Sequence, residues 1–159
     1  MSAGDARSNL ALKRDGTVWV WGANWNNQFG FGERTDPPGL NRGYQLTPQK
    51  IPALLNVTAI AVGGSGRHSI ALLKDGTIRT WGNTDWGQLG VGGGAGFRAT
   101  PVMPKIASVK SIFAAGRNSY AVLANGALWA WGGGGPREWP LPVDTRVPAP
   151  LDLEARSQK

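Results

Sequence analysis

The sequence predicts an all-β fold: about three β-propeller blades, each a four-stranded antiparallel sheet. Three observations predict it. The segment Arg67–Gly92, RHSIALLKDGTIRTWGNTDWGQLGVG, is nearly respelled at Arg7–Gly32, RSNLALKRDGTVWVWGANWNNQFGFG, and again in shorter form at Arg117–Gly132, RNSYAVLANGALWAWG. Each copy places an Asp-Gly or Asn-Gly pair between two apolar runs, with the glycine at 16, 76 and 126, and closes on Trp-Gly at 21–22, 81–82 and 131–132. Upstream of the second and third copies lie further matching runs. About four short strands recur every ~50 residues, the content of one propeller blade.

The middle copy shows why the elements form. His68–Leu73 and Thr77–Trp81 are short and rich in β-branched, aromatic and aliphatic residues, as strands are. Asp75-Gly76 between them suits a tight type I′ hairpin, in which both central residues take positive φ. Asp15-Gly16 and Asn125-Gly126 repeat that chemistry. The strand before each hairpin is apolar on both faces: Leu10-Ala11-Leu12, Ile70-Ala71-Leu72, Tyr120-Ala121-Val122. A strand with one wet face would alternate, so these are expected between neighbouring sheets, with the alanine column where sheets approach closely. Trp21, Trp81 and Trp131 are expected to pack between sheets, burying about 150–250 Å² each. Gly22, Gly82 and Gly132 after them permit a conformation a Cβ would forbid.

In chain order, blade-like modules are expected at about 3–46, 47–99 and 100–153, in a single repeat domain over 1–159 with a polar tail at 154–159. The first starts late in its blade: Ala3-Gly4 reads as the tail of a strand. Its loop Glu33–Leu46, ERTDPPGLNRGYQL, is longer than its counterpart Gly93–Ala99 and carries the turn residues Pro37-Pro38-Gly39. Such loops either carry function or are tolerated surface insertions. The second and third modules open alike, with Thr47-Pro48 and Ile51-Pro52 matched by Thr100-Pro101 and Met103-Pro104. The Pro-containing pieces read as edge strands. Val57–Gly64 and Val109–Gly116 supply another strand each. Val147–Leu153 echoes Ile51–Val57. The glycine run Gly92–Gly96 is not a phosphate cradle, because no helical period follows it.

These motifs resemble the repeat of the regulator-of-chromosome-condensation propellers. The resemblance rests on Thr47-Pro48, Ile60-Ala61-Val62-Gly63, His68-Ser69, Asp75-Gly76, Trp81-Gly82 and Gly87-Gln88-Leu89-Gly90, and covers nearly the whole chain. The first repeat has Asn27-Gln28-Phe29-Gly30 in the last of these places, and the third loses that tail. Family members usually carry about seven repeats, against three here. Three blades do not close a ring, and open blades expose edges and apolar faces. The expected remedy is self-association, two chains giving six blades. Missing repeats of a longer parent, or a capping partner, would serve as well.

Composition narrows the chemistry. The chain has 159 residues, 17 Lys and Arg against 10 acids, a net charge of +7, and 8 Trp. Its 41% hydrophobic residues can bury a core, so disorder is not expected. The basic residues are scattered rather than blocked, which favours a solvated surface over a nucleic-acid face. No cysteine is present, which excludes disulfides and cysteine-ligated metal. Met1–Asp5 lacks the order of a secretory signal, and no apolar run is long enough to cross a bilayer. A soluble chain with no membrane partner is expected, its compartment unassigned.

No catalytic, metal or cofactor site is expected. His68 is the sole histidine, so a two-histidine metal site is impossible; at the start of its strand, matched by Ser8 and Asn118, it is expected to hydrogen-bond a neighbouring turn. Asp15 and Asp75 are turn residues, and no pair of acids recurs at a spacing suited to acid–base work. The candidate binding residues are rim aromatics and arginines: Trp25, Arg34, Arg42, Tyr44, Trp86, Arg98, Arg137 and Trp139. Such residues dominate interaction hot spots; packing beneath the loops is the alternative. The expected function is a non-catalytic module presenting preorganised loops to a protein partner. Aromatic rims also suit glycans or nucleic acid, and a purely structural, self-assembling role stays open. The resemblance implies narrower versions, guanine-nucleotide exchange on a small GTPase or inhibition of an enzyme by a propeller face, but no residues for either carry over.

Overall fold

Residues 2–3, 8–24, 28–32, 43–64, 67–133 and 145–151 are described by the computed structural model. They contain twelve strands and no helix. The first sheet is β1 (Ser2–Ala3), β2 (Ser8–Leu12), β3 (Val18–Ala23) and β4 (Tyr44–Lys50), in that order. The second is β5 (Val57–Gly63), β6 (His68–Leu73), β7 (Ile78–Asn83) and β8 (Phe97–Val102). The third is β9 (Val109–Ala115), β10 (Asn118–Leu123), β11 (Leu128–Gly132) and β12 (Thr145–Pro150). All pairings are antiparallel between neighbours in sequence. The all-β blade architecture of the sequence reading is therefore present.

The hairpin turns are not of type I′. Gly16, Gly76 and Gly126 have φ of 78°, 77° and 86°, but Asp15, Asp75 and Asn125 before them do not have positive φ. In the middle copy Gly76 N donates to Leu73 O at 3.0 Å and Leu73 N to Thr77 O at 2.9 Å. That is a three-residue loop whose last residue is a left-handed glycine, the other common way to close a hairpin. The aspartate acts differently from expectation. Asp75 Oδ1 accepts from Thr77 N at 2.9 Å and from Thr77 Oγ1 at 2.7 Å, and Asp15 does the same for Thr17. Asn125 keeps only the amide bond, from Ala127 N at 3.0 Å.

Sheets and sequence modules are offset. Thr47-Pro48, read as opening the second module, lies in β4, the outer strand of the first sheet, and Thr100-Pro101 lies in β8 of the second. The third copy of this pair is Val147-Pro148 in β12. Trp19 pairs with Lys50 and Trp129 with Pro150, so Val147-Pro148 stands where Thr47-Pro48 stands. The echo of Val147–Leu153 with Ile51–Val57 is corrected accordingly. The outermost pairing shifts register once in each sheet, between Val20 and Gly22, Thr80 and Gly82, and Ala130 and Gly132, a bulge next to each Trp-Gly.

The core lies between sheets. One cluster joins Leu10, Val18, Val20 and Phe29 of the first blade to Val57, Ala71 and Trp81 of the second, with Ile51 and Leu54 from the connection. The other joins Ala61, Ile70, Leu72 and Ile78 to Val109, Ile112, Ala121 and Trp131. Among the described residues only the middle sheet is covered on both faces: β6 is buried at five consecutive positions, whereas β2 and β10 are not.

Candidate functional site

Each junction is organised by a tryptophan at the end of a blade's third strand. Trp81 and Trp131 are both 0% exposed. The Trp81 indole donates to the Gln28 carbonyl at 2.8 Å, and the Trp131 indole to the Gln88 carbonyl at 2.9 Å. A Cβ on Gly90 would sit 2.8 Å from Trp131 Nε1, and one on Gly30 3.0 Å from Trp81 Nε1, so the indole packs directly against a residue that must be glycine. The Gln-Phe-Gly and Gln-Leu-Gly tails are thus the seats for the next blade's tryptophan. The sequence contained both seats, but the acceptor is a backbone carbonyl, which no side-chain pattern announces.

His68 belongs to the second junction rather than to a turn. Its Nε2 lies 2.9 Å from Ser119 Oγ, and Ser119 Oγ donates to Gln88 O at 2.8 Å. Because the serine hydroxyl gives its hydrogen to Gln88, His68 Nε2 is the donor of the first bond. Both lone pairs of the Gln88 carbonyl are then used, by Ser119 and Trp131. Gly63 must be glycine to leave room for the His68 ring. The histidine is fully buried at 0% exposure between sheets two and three.

The loop between β7 and β8 is fixed by its own side chains. Asn83 Oδ1 accepts from Asp85 N at 3.0 Å and Gln88 Nε2 at 2.6 Å, while Gln88 Oε1 accepts from Trp86 N at 2.8 Å. Asp85 Oδ2 accepts from Asn83 Nδ2 at 2.7 Å, and Asp85 Oδ1 takes Gly96 N at 2.7 Å. This loop lies at the rim opposite the hairpin turns. It holds Trp86 half-buried, with the Arg117 guanidinium over its ring at 4.4 Å from the centroid, a contact worth about 0.5–1 kcal/mol at a partly exposed site. Arg146 of β12 reaches across from the third sheet, its Nη1 donating to Gly93 O at 2.8 Å, and Gly92 N donates to Arg146 O at 2.8 Å.

Of the candidate rim residues, Trp86, Arg98 and Tyr44 are described. Trp86 and Arg98 flank one loop; Arg98 pairs with Gly82 in β8, and its Nη1 donates to Phe97 O at 3.3 Å. Tyr44 opens β4 and pairs with Ala23, one sheet away. Trp25, Arg34, Arg42, Arg137 and Trp139 lie outside the described residues. Arg117 and Arg146 join the rim without having been singled out. Arg117 had a signal, since Arg7, Arg67 and Arg117 head the three copies. At the opposite rim, hydrogen bonds from Thr17 and Thr77 hold the Asp15 and Asp75 carboxyls below the ordinary aspartate value. Burial alone raises the Tyr120 phenol. Among the described residues no group of three His, Cys, Asp or Glu is placed to hold a metal ion, and no helix is long and apolar enough to cross a membrane.

Comparison with known proteins agrees with this geometry. Residues 15–72 and 57–88 each match the family described as "Regulator of chromosome condensation (RCC1) repeat". The chain is 32% identical over 125 residues to the RCC1 domain-containing protein RUG3, mitochondrial, of Arabidopsis thaliana, covering 77% of this chain and 26% of that one. It is 33% identical over 129 residues to the probable E3 ubiquitin-protein ligase HERC6 of Homo sapiens, covering 78% of this chain and 12% of that one. The chain therefore spans about a quarter or less of these curated relatives. A chain in the crystal structure of Kap60 bound to yeast RCC1 (Prp20) superimposes with a TM-score of 0.74 at 26% identity, covering 94% of this chain and 36% of that one. Human WBSCR16 superimposes with a TM-score of 0.72 at 23% identity, covering 94% and 38%, a likeness of fold alone. With its three tryptophan-closed hairpins and its inter-sheet seats, the chain belongs to the RCC1-type repeat family and forms part of a β-propeller.

Proposed function

We propose that this chain is a non-catalytic interaction module that binds a protein partner through rim loops on stacked blades, and that it self-associates to complete a ring. The single observation that carries the binding half is the β7–β8 loop. Its backbone is fixed by Asn83, Asp85 and Gln88, while Trp86 and Arg98 beside it stay partly accessible. A surface ordered in advance loses little entropy on binding, and Trp and Arg are the residues that dominate such contacts. The chain acts as one repeat domain over its three modules. The structural relatives support a protein partner: one is solved with Kap60, and another, Prp20p of Saccharomyces cerevisiae, has binding properties to Gsp1p and histones.

Purified Kap60, Gsp1p and histones are the first to assay by surface plasmon resonance. Binding that weakens at least tenfold in Trp86→Ala and Arg98→Ala, with the fold intact, supports the rim. Equal binding by wild type and both variants contradicts it. A regulator of a small GTPase is the second reading, implied by the resemblance to the regulator-of-chromosome-condensation propellers. It predicts faster release of fluorescent GDP when the chain is added; an unchanged rate across a GTPase panel removes it.

A further inference from the structure

The two junctions define a front and a back for every blade. The front, facing the preceding sheet, carries Ala71 and Trp81 in the second blade and Ala121 and Trp131 in the third, all buried. The same positions in the first blade are Ala11 and Trp21, with Trp19 beside them, and all three are only half-buried. The back, facing the following sheet, carries Leu10 and Val18 in the first blade and Ile70, Leu72 and Ile78 in the second. In the third blade the equivalent positions are Tyr120, Val122 and Leu128, each half-buried. Beside them Phe113 is 55% exposed where its counterpart Ala61 is 9% exposed.

The backbone repeats the asymmetry. Gly16 O accepts from Val57 N at 3.1 Å and Gly76 O from Val109 N at 3.0 Å, each on the following blade. A Cβ on Gly16 or Gly76 would lie 3.3 Å or 3.4 Å from that blade's backbone, whereas one on Gly126 would meet nothing within 4 Å. One end of the stack thus presents a back and the other a front, of the kinds that pack together twice within the chain.

We infer that the back of the third sheet, Phe113, Tyr120, Val122 and Leu128, is a docking face for the front of the first sheet, Ala11, Trp19 and Trp21, of a second copy of this chain. Two such contacts run head to tail and close six blades. The occupant follows from continuity with the interface already formed: what covers a back in this chain is a front carrying alanine and tryptophan. The inference rests on the self-association proposed above and adds which faces meet and in which sense. Each contact joins two different patches, and a two-fold axis relates the two contacts of the closed ring.

The test is the solution mass of the full chain by light scattering, for wild type, Phe113→Asp, Ala11→Glu and an equimolar mixture of the two variants. Trp19→Glu replaces Ala11→Glu if circular dichroism shows the latter unfolded. Wild type is expected at twice the 16.8 kDa chain mass. Each variant alone loses the dimer, because each ring contact needs one back and one front. The mixture regains a dimer through the one surviving back and the one surviving front. A wild-type monomer overturns self-association itself. A wild-type dimer that persists in either variant overturns only the choice of faces, and a mixture that stays monomeric overturns the head-to-tail sense.

Discussion

The indole of Trp131 and the side chain of Ser119 converge on one backbone oxygen, that of Gln88, at 2.9 Å and 2.8 Å. The donors belong to the third sheet and the acceptor to the β7–β8 loop of the second. A carbonyl has two lone pairs, and both are satisfied across the junction. The first junction keeps the tryptophan bond, from Trp81 to Gln28 at 2.8 Å. The blades therefore stack by directional bonds as well as apolar contact.

Trp131→Phe retains most of the buried ring and removes the N–H donor. Gln88 O keeps its bond from Ser119, so the expected loss is about 1–2 kcal/mol. Trp131→Ala also opens a cavity between sheets two and three and is expected to cost about 3–5 kcal/mol. Urea unfolding measures both. Equal stability of wild type and Trp131→Phe would show that the indole bond contributes nothing.

Gly90 and Gly126 separate backbone strain from crowding. Both have positive φ, 71° and 86°. Gly126→Ala meets open space and should cost about 1–2 kcal/mol, the penalty of a left-handed alanine. Gly90→Ala adds a clash with the Trp131 ring and should cost about 2–5 kcal/mol in total. Thermal or urea midpoints in the two variants give the comparison; a Gly126→Ala loss as large as that of Gly90→Ala would contradict the seat.

Acid should weaken the hairpins. Hydrogen bonds from Thr17 and Thr77 lower the Asp15 and Asp75 carboxyls in the folded chain. A lowered folded value gives stability that is present above the unfolded aspartate value, near 3.8, and lost as pH falls through the folded value. Asp15→Asn with Asp75→Asn keeps the amide-accepting oxygen, as Asn125 does in the third hairpin. The urea midpoint of this double variant should fall less than that of wild type between pH 7 and pH 3. An identical fall would remove these carboxylates as a cause.

Much of the architecture was legible because it is written three times. A single Asp-Gly is weak evidence, but Gly16, Gly76 and Gly126 in matching surroundings place three hairpins, and Ala71, Trp81, Ala121 and Trp131 lie between sheets as expected, whereas Ala11 and Trp21 are only half-buried. The turn type was not legible: Asp-Gly serves a two-residue or a three-residue loop, and only the backbone angle of the aspartate separates them. Val147-Pro148-Ala149 resembles Ile51-Pro52-Ala53 in letters, yet register pairs Val147-Pro148 with Thr47-Pro48, a distinction carried by hydrogen bonds. His68 was expected to hydrogen-bond a neighbouring turn, but its Nε2 meets Ser119 of another blade, a partner local sequence does not name. At the rim, Trp86 and Arg98 could be picked by residue type. The Arg117 guanidinium over Trp86 depends on how two blades align, which local sequence does not encode.

The account depends most on the two tryptophan seats, and hydrogen exchange of the indole N–H groups, followed by NMR, tests them directly. It predicts slow exchange at Trp81 and Trp131, whose donors are buried and bonded across junctions, and faster exchange at Trp19, whose half-buried ring donates to the nearby Thr17 hydroxyl at 3.1 Å. Exchange at Trp81 and Trp131 as fast as at Trp19 would contradict face-to-face stacking of the blades.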